Sequence, residues 1–151
     1  MKIAIGCDEA AYALKVAIMK HLDTKEGIEY HDFGAAEGEI ILYPDVAQKA
    51  AEAVARGEYD RGILICGTGL GVSIAANKVK GAYAALLTDV YSAKRARLSN
   101  DANIACFGAF TIGNKLREEL VDAFLTNEFV PGCSSQPKVD AFVQYESEHM
   151  K

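Results

Sequence analysis

Apolar residues return along this chain in two alternating rhythms. Short, nearly continuous runs (KIAIGCD, IEYHDFG, RGILICGTG, GAYAALLTD and ANIACFGAF) are each followed by a longer stretch in which apolar positions recur every three or four residues. The runs have the length of buried strands. The longer stretches, AAYALKVAIMKHL, PDVAQKAAEAVARG, GVSIAANKV, VYSAKRARL and TIGNKLREELVDAFL, have the helical period. Pro44 falls in the first turn of the second helix and Gly57 where that helix should stop. A last segment, QPKVDAFVQYESEHM, is helical by the same pattern, and the turn-rich FVPGCSSQPKV before it lets it extend away from the main body. Five strand-helix cycles, with strands apolar on both faces, predict an α/β fold: a three-layer α/β/α sandwich around a five-stranded parallel sheet, Rossmann-like in its winding. No linker, repeat or low-complexity tract divides the chain, so residues 1–151 are expected to form a single domain.

Composition narrows the partners. The formal net charge is −5, which disfavours nucleic acid as the main ligand. No apolar run approaches the roughly 18 residues of a membrane span, and MKIAIGCDEA turns acidic too early for a secretory signal. Cys7, Cys66, Cys106 and Cys133 show no CxxC pair and no histidine at ligand spacing, so free thiols in the cytoplasm and no metal are expected. Cys106, inside ANIACFG, reads as a buried small hydrophobe.

Parallel sheets hold ligands beyond the carboxyl ends of their strands. The residues placed there are Cys7, Asp8 and Glu9, then Cys66 to Gly71, then Thr88 and Asp89, then Gly108 to Thr111. The glycines of ICGTGLG follow the third strand rather than the first, and Val72 stands where a dinucleotide fingerprint needs its last glycine. No GxxxxGK[ST] string occurs either. What remains is a loop of backbone amides at a helix start, a place for an anion, with the Cys66 thiol beside it. Such a thiol could attack a carbonyl or remove a proton next to one. A cysteine hydrolase wants a histidine partner, and His21, His31 and His149 are not placed by sequence at this loop, so proton abstraction is favoured.

The strings IAIGCD, YPDVA, ILICGTGLGVSIAANK and YSAKRARLSNDAN, and FG with VDAFL behind it, occur in the order found in one family. The chain resembles the type B ribose-5-phosphate isomerases and the galactose-6-phosphate isomerase subunits over nearly its whole length. The resemblance implies a cofactor-independent aldose-ketose isomerase working through a cis-enediolate. On that likeness Cys66 is the base between C1 and C2, Thr68 assists at the reacting hydroxyls, and the amides of Gly67, Gly69 and Gly71 hold the enediolate oxygen. Asp8 and Tyr43 would contact sugar hydroxyls and Asn100 would complete the pocket. A homodimer or larger homo-oligomer, with the second subunit closing each site, is implied as well.

Departures from the family concern the substrate. Histidine after GCD, histidine before NDxN, arginine shortly after FG, and arginine and histidine in the C-terminal turn are common in members acting on ribose 5-phosphate. Here Glu9, Ser99, Phe110, Cys133 and Ser134 stand there, and Lys138 is the basic residue left near the last of them. A tetrose 4-phosphate has O4 blocked and cannot close a furanose ring, so it needs no ring-opening acid. The pattern at Glu9 and Ser99 therefore suggests erythrulose 4-phosphate and erythrose 4-phosphate, with ribose 5-phosphate and ribulose 5-phosphate the next pair. A hexose phosphate such as galactose 6-phosphate, or an unphosphorylated sugar, is the alternative. Lys94, Arg95 and Arg97 are further candidate phosphate cations, although a solvated helix face explains them as well. Two readings of another class stay open: a non-catalytic phosphate- or nucleotide-binding module, and a redox thiol at Cys66 resolved by Cys7.

Overall fold

A computed structural model describes all residues, Met1–Lys151. Five parallel strands run in the order β2-β1-β3-β5-β4: β1 Lys2–Cys7, β2 Glu29–Asp32, β3 Arg61–Cys66, β4 Ala84–Leu86 and β5 Ile104–Gly108. Helices α1 (Tyr12–Leu22), α4 (Val90–Leu98) and α5 (Asn114–Thr126) share one core with Ile3, Ile5, Ile63, Ile65 and Phe107. Helices α2 (Tyr43–Ala55) and α3 (Leu70–Ala76) share the other with Ala4, Leu64, Ile104 and Cys106. The expected sandwich is therefore the observed one.

Small residues bring α2 close to the sheet. It buries Ala47, Ala50, Ala51 and Ala53 between Val46 and Val54. Beneath it, a Cβ on Gly6 would lie 2.7 Å from Val46 Cγ2, and one on Gly62 would lie 2.9 Å from Ile104 Cγ1. A larger side chain at Gly6 would push helix and sheet apart, and one at Gly62 would collide with the neighbouring strand β5. Pro44 occupies the first turn of α2, and Gly57 follows the helix with a φ of 74°, in the left-handed region, as its position in sequence implied.

Two expectations are corrected. The second strand is not apolar on both faces: Glu29, His31 and Asp32 are exposed, because β2 is an edge strand flanked only by β1. The fourth shrinks to three half-buried residues at the opposite edge. There the Asn77 carboxamide takes the place of a neighbouring strand, donating to Ala84 O at 2.8 Å and accepting from Ala84 N at 2.9 Å. Helix α6 (Gln136–His149) packs on its own chain through Phe142 against Tyr83, ring centroids 5.2 Å apart, and through Glu146, which accepts from the Tyr83 hydroxyl at 2.8 Å. No helix is long and apolar enough to cross a membrane.

Candidate active site

The chain leaves β1 for one side of the sheet and β3 for the other, which opens a crevice between the loops after these two strands. Asp8 and Cys66 stand at its two sides. The Asp8 amide donates to Ile65 O at 3.3 Å, and its carboxylate caps the following turn by accepting from Ala11 N at 3.2 Å. Burial, then the adjacent Glu9 carboxylate, raises the pKa of Asp8 above the usual range.

The loop Cys66 to Gly71 is shaped by close approach on every side. Gly69 has a φ of 77°, and a Cβ there would lie 2.8 Å from the Phe107 carbonyl carbon. A Cβ on Gly67 would lie 2.8 Å from the Phe110 ring, and one on Gly71 would lie 2.7 Å from the Tyr43 ring. Gly108 in turn admits the Thr68 backbone, since its Cβ would lie 2.7 Å from the Thr68 carbonyl. Phe110 N donates to Gly67 O and Ala109 N to Cys66 O, both at 2.9 Å, so the two residues just after β5 secure the loop. Gly69→Ala should therefore cost about 3 kcal/mol from left-handed strain plus overpacking, a fall in Tm of about 6–12 °C by calorimetry. A drop under about 2 °C would show that the loop relaxes freely.

Cys66 is 5% exposed, and its sulfur accepts from the Gly69 amide at 3.2 Å. This changes one expected role: the Gly69 amide is committed to the thiol. The amides of Gly67 and Gly71 have no protein acceptor and remain available to an oxyanion. Exposed Thr68 keeps its hydroxyl at the loop tip, 3.3 Å from Leu70 N. Tyr43, half-exposed, lies over Gly71 at the rim, and Glu9 is exposed beside Asp8.

Ser99, Asn100 and Lys138 do not join this group within the chain. Ser99 and Asn100 follow α4, which returns to the amino end of the sheet before β5 begins. Cys66 is at the other end, and β5 alone spans about 15 Å. Lys138 is exposed on α6. Arg97 is neither a solvated residue nor a free cation: it is 3% exposed, and its guanidinium contacts Asp101 at 3.0 Å and Glu128 at 3.1 Å.

The histidines are also elsewhere. His21 Nε2 bonds Asp122 Oδ1 at 2.7 Å, His31 packs edge-on to Phe33, and His149 stacks on Tyr145. Cys7 is not placed to resolve Cys66, as the open redox reading requires. It pairs in register with Ile65 and shares the α1 side of the sheet, whereas Cys66, one residue on, faces the α2 side. Burial pushes the Cys7 thiol up to about 11. The cysteine sharing the Cys66 face is Cys106, whose pKa burial raises strongly.

A group missed in sequence underlies Asp8. Fully buried Lys15 donates to both Asp32 oxygens, at 2.7 and 2.8 Å, and to Ala35 O. It thereby ties down the segment that exchanges 2.6 Å backbone bonds with Cys7, Cys7 N to Gly34 O and Ala35 N to Cys7 O. The signal was present: Lys15 interrupts the buried stripe Ala11, Ile18 and Leu22.

The family model described as Ribose/Galactose Isomerase matches residues 3–142. The chain belongs to this family. Among its Ribose/Galactose Isomerase relatives, a protein named Ribose-5-P isomerase B from Listeria innocua is 53% identical over 140 residues, 93% of each chain. D-erythrulose-4-phosphate isomerase 2 of Mycolicibacterium smegmatis is 46% identical over 97% of each chain. The solved Clostridium thermocellum Ribose-5-Phosphate Isomerase B superimposes with a TM-score of 0.92 at 47% identity, covering 98% of this chain and 99% of that one.

Proposed function

We propose that this chain is an aldose-ketose isomerase of a small sugar phosphate, with Cys66 as the base. The observation that carries the reading is a thiol at the head of a glycine loop, with unpaired Gly67 and Gly71 amides on one side and the Asp8 carboxyl across the crevice. The thiolate takes the proton from the carbon beside the carbonyl. As the enediolate forms, its oxygen gains charge and is met by the loop amides, and the thiol returns the proton to the neighbouring carbon. Thr68 serves the proton exchange between the two oxygens, and Asp8 and Tyr43 hold the hydroxyls beyond. A non-catalytic binder would need neither the buried thiol nor the carboxyl facing it.

The working unit in this reading is a homodimer in the cytoplasm. Leu42, Leu70 and Ile74 are 70%, 54% and 63% exposed close to Tyr43 and the loop, an apolar rim that a second copy would cover. Ser99, Asn100 and Lys138, distant from Cys66 in their own chain, would then act in the partner's site.

A tetrose phosphate is the preferred substrate. No histidine stands near Cys66 to open a ring, and Phe110 covers Gly67 where arginine is common. A coupled screen across tetrose, pentose and hexose phosphates and their unphosphorylated counterparts tests this. Erythrulose 4-phosphate should exceed ribose 5-phosphate by about tenfold or more in kcat/KM. Equal rates would remove the tetrose assignment while leaving the isomerase, and no aldose-ketose conversion of any sugar would remove both.

A further inference from the structure

Between α1 and α5 lies a cleft of about 430 Å³, lined by Ala13, Leu14 and Ala17 on one wall and by Phe110, Asn114 and Arg117 on the other. Its walls are apolar apart from the corner held by Asn114 and Arg117. Arg117 is only 8% exposed. Its Nη1 donates to Asn114 Oδ1 at 2.9 Å, its Nη2 is 3.6 Å from Glu118 Oε1, and its buried Nε has no acceptor. Buried Arg97 and half-buried Arg61 also have an unpaired Nε, but both share the Glu128 carboxylate, at 3.1 and 2.5 Å. Arg117 has the neutral Asn114 carboxamide and, as its carboxylate, only the looser contact to a partly exposed glutamate. A buried guanidinium short of acceptors is costly unless an oxyanion completes it.

The backbone at this corner has the same deficit. Arg117 lies in the first turn of α5, whose N-cap Gly113 offers no side chain. The amides of Asn114, Lys115 and Leu116 have no acceptor, and they form the positive end of a thirteen-residue helix. A buried cation and Asn114, which heads the row of open amides, thus line one cleft. The nearby carboxylates are Glu118 and, one residue before the lining Ala10, exposed Glu9. Glu118 does not line the cleft, and its side chain, 42% exposed, can turn to solvent when a stronger acceptor arrives.

We propose that the cleft between α1 and α5 is a binding site for a small oxyanion of the phosphate or sulfate class, with Arg117 as its cation and the α5 amides as its further donors. Phe110 lines this cleft and also packs its ring on Gly67, so the cleft adjoins the Cys66 loop. The oxyanion can be the phosphate of the sugar or free phosphate. Anion binding here does not depend on the isomerase reading.

Calorimetric titration of the full chain with inorganic phosphate should show saturable binding. Arg117→Gln should weaken it by about tenfold or more, and Arg117→Lys should keep part of it. Ala13→Glu, at an exposed position that should not disturb folding, should weaken it as well by placing a carboxylate in the cleft. Competition assigns the source. If a sugar phosphate displaces phosphate and Arg117→Gln raises KM with kcat kept, the site holds the substrate's phosphate; if both bind together, it holds free phosphate. No saturable phosphate binding by the unaltered chain, or equal binding by Arg117→Gln and Ala13→Glu, overturns the site, whatever the protein isomerises.

Discussion

Cys66→Ala is expected to lower kcat about a thousandfold while leaving substrate affinity nearly unchanged. Proton transfer by a positioned side chain contributes roughly 10²–10⁴-fold, and alanine leaves no group in its place to carry the proton. A thousandfold loss is about 4 kcal/mol of transition-state stabilisation. Affinity should survive because the amides of Gly67 and Gly71 and the carboxyl of Asp8 do not depend on the sulfur. The Gly69 amide, freed from its 3.2 Å bond to the thiol, can turn to solvent or to the ligand. Steady-state kinetics with the best sugar phosphate from the screen, beside calorimetric binding of the same compound, checks both halves. A kcat within about threefold of the parent would assign the base elsewhere, and a parallel loss of affinity would make the loop, rather than the thiol, the seat of the effect.

Asp32→Ala should destabilise the fold by about 3 kcal/mol. The substitution leaves the Lys15 ammonium, wholly buried, with only the Ala35 carbonyl and the face of Tyr12, 5.3 Å to the ring centroid. Breaking a buried pair from one side costs roughly 3–5 kcal/mol, and the lower end applies because the Asp32 side chain is 35% exposed. The corresponding fall in Tm is about 6–12 °C. Lys15→Met combined with Asp32→Ala should recover most of the loss, since no uncompensated charge then remains. Denaturant titration of the single and double variants decides it. A double variant as unstable as Asp32→Ala alone would mean that the loop contacts, not the charge, matter at this position.

The layers, the sheet and the glycine loop were legible because each rests on local chemistry. Apolar runs specify buried strands, Pro44 and Gly57 mark helix ends, and the order of the strings around ICGTGLG specifies the family. Misread features depended on relations between distant segments. Which strands lie at the edges is a matter of topology, so the sequence pattern groups β2, with exposed His31 and Asp32, among strands apolar on both faces. Cys7 and Cys66 end two adjacent strands and look like partners, but a one-residue offset in register places them on opposite faces. Arg97 lies on a helix whose sequence reads as a solvated face, and only the fold brings Glu128 to it. Gly69 was assigned to the substrate, whereas its amide meets the sulfur three residues back, a contact that follows from the loop's left-handed turn.

Asn77 gives the sheet a property that neither core explains. Its side chain presents to Ala84 one donor and one acceptor, the pair that a sixth strand would offer. An open strand edge invites another chain to add to it, and a growing stack of such additions is how ordered aggregates begin. Here one carboxamide, at the C-terminal cap of the helix after the glycine loop, already occupies that docking position. The exposed apolar rim of Leu42, Leu70 and Ile74 can therefore serve the proposed homodimer without the backbone of β4 also being offered for uncontrolled growth.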